Sequence, residues 1–96
     1  MTLPQFDNLI HAPNRLQICA FLAPLSEAEF QVLRDELNVS DSVLSKHLKQ
    51  LENAGYIAQR KQKVNGRQRT WVCLTHTGIA AFKRHVQALQ ELANIV

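Results

Sequence analysis

A chain of 96 residues, 46% of them apolar and 20% charged, has room for one domain around one core. No apolar run is long enough to cross a bilayer, no basic stretch leads into an apolar one as in a secretion signal, and two isolated cysteines make no disulfide framework; the expected setting is the cytoplasm, with no membrane partner. The formal net charge of +3 conceals two opposed halves: residues 1–45 hold two basic against six acidic side chains (−4), and residues 46–96 hold nine against two (+7), a balance that points to a polyanionic partner.

The chain starts with a short apolar-flecked stretch. Phe6, Leu9 and Ile10 fall at i, i+3 and i+4, and Pro4 suits a first helical turn, so residues 2–11 read as a short helix. Ten residues of helix are marginal alone, and this piece must dock, either on the core or on a second copy; the second is the expectation. Pro13 opens the next helix, which runs to about Leu22 and is apolar on most sides, as in a buried helix. Pro24 ends it. Arg15 stands near the helix start, where the dipole does not favour a cation, so it is expected to have a carboxylate or phosphate partner. Cys19 and Cys73 each lie among apolar neighbours and read as small buried hydrophobes.

Ser26 and Glu29 have the spacing of a capping box, in which the hydroxyl bonds the Glu29 amide and the carboxylate reaches back. Phe30, Leu33 and Leu37 then share a face, and Asn38 can close the helix in the left-handed region. Val39 plugs the corner and Ser40 caps the helix that follows. In that helix Leu44, Leu48 and Leu51 form the inner face, and Ser42, Ser45, Lys46, Lys49 and Gln50 form the outer one. Short hydroxyls and long cations are the groups that bond base edges and phosphates in a major groove. Gly55 can take the left-handed position after the last turn. Residues 26–55 therefore read as a helix-turn-helix.

Beyond Gly55 the period changes from 3.6 to 2. Tyr56 to Val64 and Arg67 to Thr75 read as strands around Asn65-Gly66, the strongest local hairpin signal. A two-residue loop pairs Val64 with Arg67, Arg60 with Trp71, and Ile57 with Leu74. The root is then apolar and the tip cationic (Arg60, Lys61, Lys63, Arg67, Arg69), with no acid between Asn53 and Gln90. Such a hairpin, residues 56–75, suits a wing that packs by its root and reaches DNA by its tip; an edge hairpin guarded by charge fits the same residues. Thr75 can cap the last helix, residues 76–96, where Ile79, Phe82, Val86, Leu89, Ala93 and Val96 recur at 3-4-3-4-3. That is a heptad seam with more apolar face than a small domain covers, so a partner helix is expected, with Phe6, Leu9 and Ile10 beside it; folding back on its own core is the alternative.

His11, His47, His76 and His85 have no metal-ligand spacing, and no nucleophile stands near a base, so no metal, cofactor or enzymatic activity is expected. His76, His85 and His11 lie near the expected seam and offer a route to pH sensitivity.

The order helix, helix, turn, helix, glycine, basic hairpin, long helix resembles the winged helix-turn-helix of prokaryotic transcription regulators, most nearly the small members around the MarR and ArsR groups. The resemblance rests on Ala12 to Leu16, on Val39 to Ile57, on Asn65 to Thr70, and on Leu74 to Gly78, which together span nearly the whole chain. It implies an α+β, mostly α, single domain over residues 1–96, with a two-stranded wing and a long C-terminal dimerisation helix. It also implies a homodimer on pseudo-palindromic double-stranded operator DNA, acting as a repressor. By position, Ser42, Ser45 and Lys46 would face bases, Lys49 a phosphate and Arg67 the minor groove; Arg15 and the other wing cations would be phosphate or structural contacts. Metal-sensing members carry paired thiols in the helix before the recognition helix; Phe30 to Leu37 has none, which counts against thiolate sensing. The competing reading is a winged-helix protein-interaction module or antirepressor without specific DNA binding.

Overall fold

Pro13 fixes where the first long helix begins, because its φ suits the first helical position and its missing N–H is one that the first turn leaves unpaired. The computed structural model, which describes residues 3–95, has α1 at Asn8–His11 and α2 at Pro13–Leu22. The first helix is shorter than the sequence predicts. Residues 3–6 are not helical, so Pro4 opens nothing; Asp7 is the cap, and its carboxylate accepts from the amides of Leu9 and Ile10 at 3.0 Å each.

The predicted capping box is the clearest departure. Ala28–Glu29 is instead a short strand, β1, and α3 starts only at Phe30 (Phe30–Leu37) with no side-chain cap. β1 lies antiparallel to the second wing strand, with Ala28 opposite Val72 and Glu29 opposite Trp71. Backbone pairing and a buried Ala28 hold this segment extended, and a local cap from Ser26 cannot compete with them. Asn38 ends α3 at φ 54°, and Ser40 caps α4 (Asp41–Asn53), its Oγ accepting from the Val43 amide at 3.2 Å.

The hairpin has the register that its Asn-Gly turn dictates. β2 (Ile57–Val64) and β3 (Arg67–Leu74) pair Val64 with Arg67, Arg60 with Trp71 and Ile57 with Leu74. Asn65 and Gly66 both have positive φ (52° and 78°), the type I′ geometry that matches strand twist. The wing is not a free two-stranded ribbon, however. The sheet order is β1-β3-β2, so a third strand from before the helix-turn-helix flanks it.

Ile10, Ile18, Leu22, Leu33, Leu44, Leu48, Leu51 and Val72 have no exposed surface and form the centre of the core. α5 (His76–Ile95) is seated by a tight junction. Thr75 accepts from the Gly78 amide at 3.0 Å and donates to the Gly55 carbonyl at 2.6 Å, and its own N–H reaches the Tyr56 carbonyl at 3.0 Å. A Cβ on Gly78 would fall on that Tyr56 carbonyl oxygen, so only glycine allows this approach.

The stripe of α5 turned to the body runs one residue ahead of the expected seam. The α5 face turned to the body is Gly78, Ala81, His85 and Ala88, all buried, while Ile79 and Phe82 are half-buried against the same core. Val86, Leu89 and Leu92 are half-buried, and Ala93 is exposed. The close approach at Gly78 fixes the rotation of the helix that brings this stripe inward. Ile10 also departs from expectation: it belongs to the chain's own core and has no surface left for a second copy. Leu9 packs on that core, and Phe6 stacks on His11 with centroids 4.8 Å apart. Val96, the last residue of the predicted seam, lies outside the described residues.

Candidate nucleic-acid interface

The rotation of α4 is fixed by Leu44, Leu48 and Leu51, which are wholly buried. Ser42, Ser45, Lys46 and Lys49 are consequently exposed together on the outer face, as their spacing predicts. Val43 joins them: it is 38% exposed, an apolar side chain in the first turn of an otherwise polar surface. Arg34 of α3 donates to Asp41 at 2.7 Å and to Asp35 at 3.3 Å, which ties the turn between the two helices and occupies the one acid of α4's first turn.

The inner flank of α4 is held by Arg15. Its Nη1 donates to Gln50 Oε1 at 2.8 Å and faces His47 Nδ1 at 3.3 Å, and its Nε donates to the Leu9 carbonyl. Its partners are thus a carbonyl and an amide, neither of the two anions predicted. Gln50 is drawn out of the expected outer face by this bond. Arginine only donates, so His47 accepts at Nδ1 and carries its proton on Nε2; the Asn14 amide, 3.4 Å from Nε2, accepts that proton when it is turned to present Oδ1. Burial, and then the charges of Arg15 and Lys46, hold His47 below the usual histidine range, against a smaller opposing effect of Gln50. His47 therefore packs toward α2 as a neutral ring.

The five wing cations divide in two. Arg60 grips the Glu27 carboxylate with both Nε (3.0 Å) and Nη2, and its guanidinium lies 5.4 Å from the centre of the Trp71 ring. Arg69 donates to Glu29 at 2.6 Å. Both arginines point to the sheet face away from the core, where β2–β3 pairing also places Trp71. The Arg60 hydrogen bond holds the Glu27 carboxyl below the usual range against slight burial. These two arginines, expected at the DNA-facing tip, are each paired with a carboxylate of the same chain. Lys61, Lys63 and Arg67 are exposed and form no ion pair among the described residues. Sequence reasoning missed Glu27 and Glu29 because the capping-box reading absorbed them; their alternation around Ala28, ahead of an acid-free basic hairpin, was the available signal.

Among the described residues no helix is long and apolar enough to cross a membrane. The winged helix DNA-binding domain family matches residues 14–93. An uncharacterised protein of Methanocaldococcus jannaschii is 35% identical over 79 residues, 82% of this chain and 86% of the relative. A transcriptional regulator homologue from Pyrococcus horikoshii superposes with a TM-score of 0.85 at 28% identity, over 92% of this chain and 87% of that one. ZitR, a zinc-responsive MarR family member from Lactococcus lactis, shares the fold at 20% identity (TM-score 0.67; 99% of this chain, 66% of that one), and a variant of it has been solved in complex with DNA. The chain belongs to the winged helix DNA-binding domain family.

Proposed function

We propose that this protein is a sequence-specific DNA-binding transcriptional regulator that acts as a homodimeric repressor in the cytoplasm. One observation carries the reading: α4 turns Ser42, Ser45, Lys46 and Lys49 outward together while its leucines are locked inward. A major groove admits an α-helix, and this face offers two hydroxyls and a cation to base edges. Lys49 meets a phosphate, and Lys61, Lys63 and Arg67 bring the wing to the flanking backbone and minor groove. Arg60 and Arg69 stiffen the wing instead of touching DNA. The half-exposed Val86, Leu89 and Leu92 with Ala93 supply the contact between two copies along α5.

Selection of bound duplexes from a random library at physiological salt is the test. Enrichment of an inverted repeat with half-sites about one helical turn apart is the expected result. A pool without enrichment, together with capture of a stable protein partner, would favour the interaction-module reading. Repression follows if a selected site placed over a promoter lowers transcription when the protein is added.

A further inference from the structure

Two histidines that the DNA-facing surface does not use meet where the N-terminal segment lies on α5. His85 is 1% exposed and sits in the inner stripe of α5 among Gly78, Ala81 and Ala88. Its Nδ1 accepts from the Asp7 amide at 3.1 Å. A nitrogen that accepts carries no proton, so the neutral ring has its proton on Nε2, which lies 3.2 Å from His11 Nδ1. His11 must then accept at Nδ1 and hold its own proton on Nε2. The Asp7 carboxylate is engaged elsewhere, by the amides of Leu9 and Ile10 and by the Tyr56 hydroxyl at 2.7 Å. Phe6 covers the pair, stacked on His11 and edge-on to His85 at 5.3 Å. Donors and acceptors here match two neutral rings and no other protonation state.

We propose that His11 and His85 form a proton-operated latch: neutral, the pair holds the N-terminal segment against α5; protonated, it releases that segment, and the release reaches the recognition helix through Arg15.

A proton added to His85 Nδ1 faces the Asp7 N–H, and one added to His11 Nδ1 faces the His85 Nε2–H, so either turns an accepted hydrogen bond into two opposed donors. The surroundings set the balance. Burial, and then His11, hold His85 below the usual histidine range, and the Asp7 carboxylate opposes them. Arg84 lines the same cleft as His85 and adds a positive charge. Tyr56 and Cys19 stay neutral near pH 7: the bond to Asp7 raises the phenol, and burial, then Asp7, push the thiol up to about 11. A cleft of about 260 Å³ between the N-terminal segment and α5 has His85 in its lining. Release is transmitted because α1 is a single turn capped by Asp7, and its Leu9 carbonyl anchors the guanidinium that holds Gln50 and faces His47 on α4.

The latch itself is independent of DNA; only its effect on α4 rests on the function proposed above, and the test separates the two. The full chain, His85→Gln and His11→Gln are compared by NMR from about pH 7.5 to about pH 5, across the histidine range. At the upper end the imidazole nitrogens of the native chain should report two neutral rings protonated on Nε2. On acidification, hydrogen-exchange protection of amides 9–11, corrected for intrinsic exchange, should fall about tenfold, roughly one pKa unit's worth of linkage, while β2–β3 protection holds. Glutamine at 85 can accept from Asp7 and donate to His11 without titrating, so only His11 is left to respond and protection should fall clearly less than in the native chain. His11 is exposed, so His11→Gln keeps the fold; His85 still takes up a proton there, and the response should be smaller than the native one. Flat protection in the native chain, a response in both variants equal to the native one, or a proton on His85 Nδ1 would each overturn the latch. With a selected duplex, native affinity should fall about tenfold over the same range and that of His85→Gln clearly less. Absence of any bound duplex sinks the DNA-binding reading and leaves the exchange result to decide the latch; a pH-independent affinity with a working latch overturns the transmission through Arg15.

Discussion

Arg69 donates to Glu29 at 2.6 Å, and this ion pair ties the wing to the strand that leads into the helix-turn-helix. The Glu29 side chain is only 16% exposed, and Arg69 Nε is already buried without a partner. Glu29→Gln should therefore leave a guanidinium poorly matched and lower stability by about 1–2 kcal/mol. Thermal unfolding should show a drop of about 4–8 °C per kcal/mol for a domain of this size. An unchanged melting temperature would mean that the pair is solvated and idle.

The split among the wing cations should appear in salt dependence. Lys61→Ala, Lys63→Ala or Arg67→Ala should each reduce the slope of log affinity against log salt by about 0.9 per protomer, since each removes a counterion-displacing charge. Arg60→Ala should lower affinity by loosening the wing while leaving the slope nearly unchanged, because Glu27 already neutralises that guanidinium. Equal slope changes in all four variants would show that the Arg60 pair opens on DNA.

Base readout should separate from phosphate contact within α4. Lys46→Ala should alter which duplex is preferred, with about 1–3 kcal/mol of discrimination at stake if Lys46 bonds a guanine. The exposed Val43 adds an apolar probe, and the apolar mark in a major groove is the thymine methyl. Deoxyuridine placed at single thymines of a selected site should weaken native binding at one half-site position, and Val43→Ala should make the protein indifferent to that change. If no thymine methyl matters, Val43 faces solvent in the complex.

Tyr56 donates to Asp7 at 2.7 Å, so Tyr56→Phe should cost about 1.5–3 kcal/mol at neutral pH, the range for a bond to a charged acceptor. The sign of the pH dependence follows from the carboxyl. Burial pushes Asp7 up, but the Tyr56 hydroxyl, the Ile10 and Leu9 amides and His85 together bring it below the ordinary aspartate value of 3.8. A group depressed in the native state stabilises above its unfolded value, and that contribution is lost as pH falls through 3.8 toward the native value. The gap between native and Tyr56→Phe midpoints in urea should accordingly narrow over that interval. The histidine contributions lie elsewhere: His85 and His47 are depressed, so their share is full above about 6.5 and is lost as pH falls below it.

Features governed by near neighbours were legible in the sequence. Asn65-Gly66 dictates its turn and with it the register, and Ser40, Asn38, Thr75 and Pro13 bound their helices through bonds or torsions that span a few residues. What escaped depends on partners far along the chain. Ala28 and Glu29 become a strand only because β3 lies beside them, some 40 residues later. Arg15 was legible as a cation needing a partner, but which partner depends on how α1 and α4 pack. On α5 the seam followed apolarity, whereas the inner stripe is set by how near the Tyr56 carbonyl comes to Gly78.

The Gly78 junction has a consequence for how a pair of copies would measure DNA. With the Tyr56 carbonyl occupying the space of a side chain, α5 is bolted to the point where α4 gives way to β2. Two chains joined along α5 would then have no slack between the joint and the reading heads, like a calliper with a locked screw. One base pair added between half-sites shifts and rotates the second away from its reader, and a molecule seated this tightly has no hinge there with which to follow it.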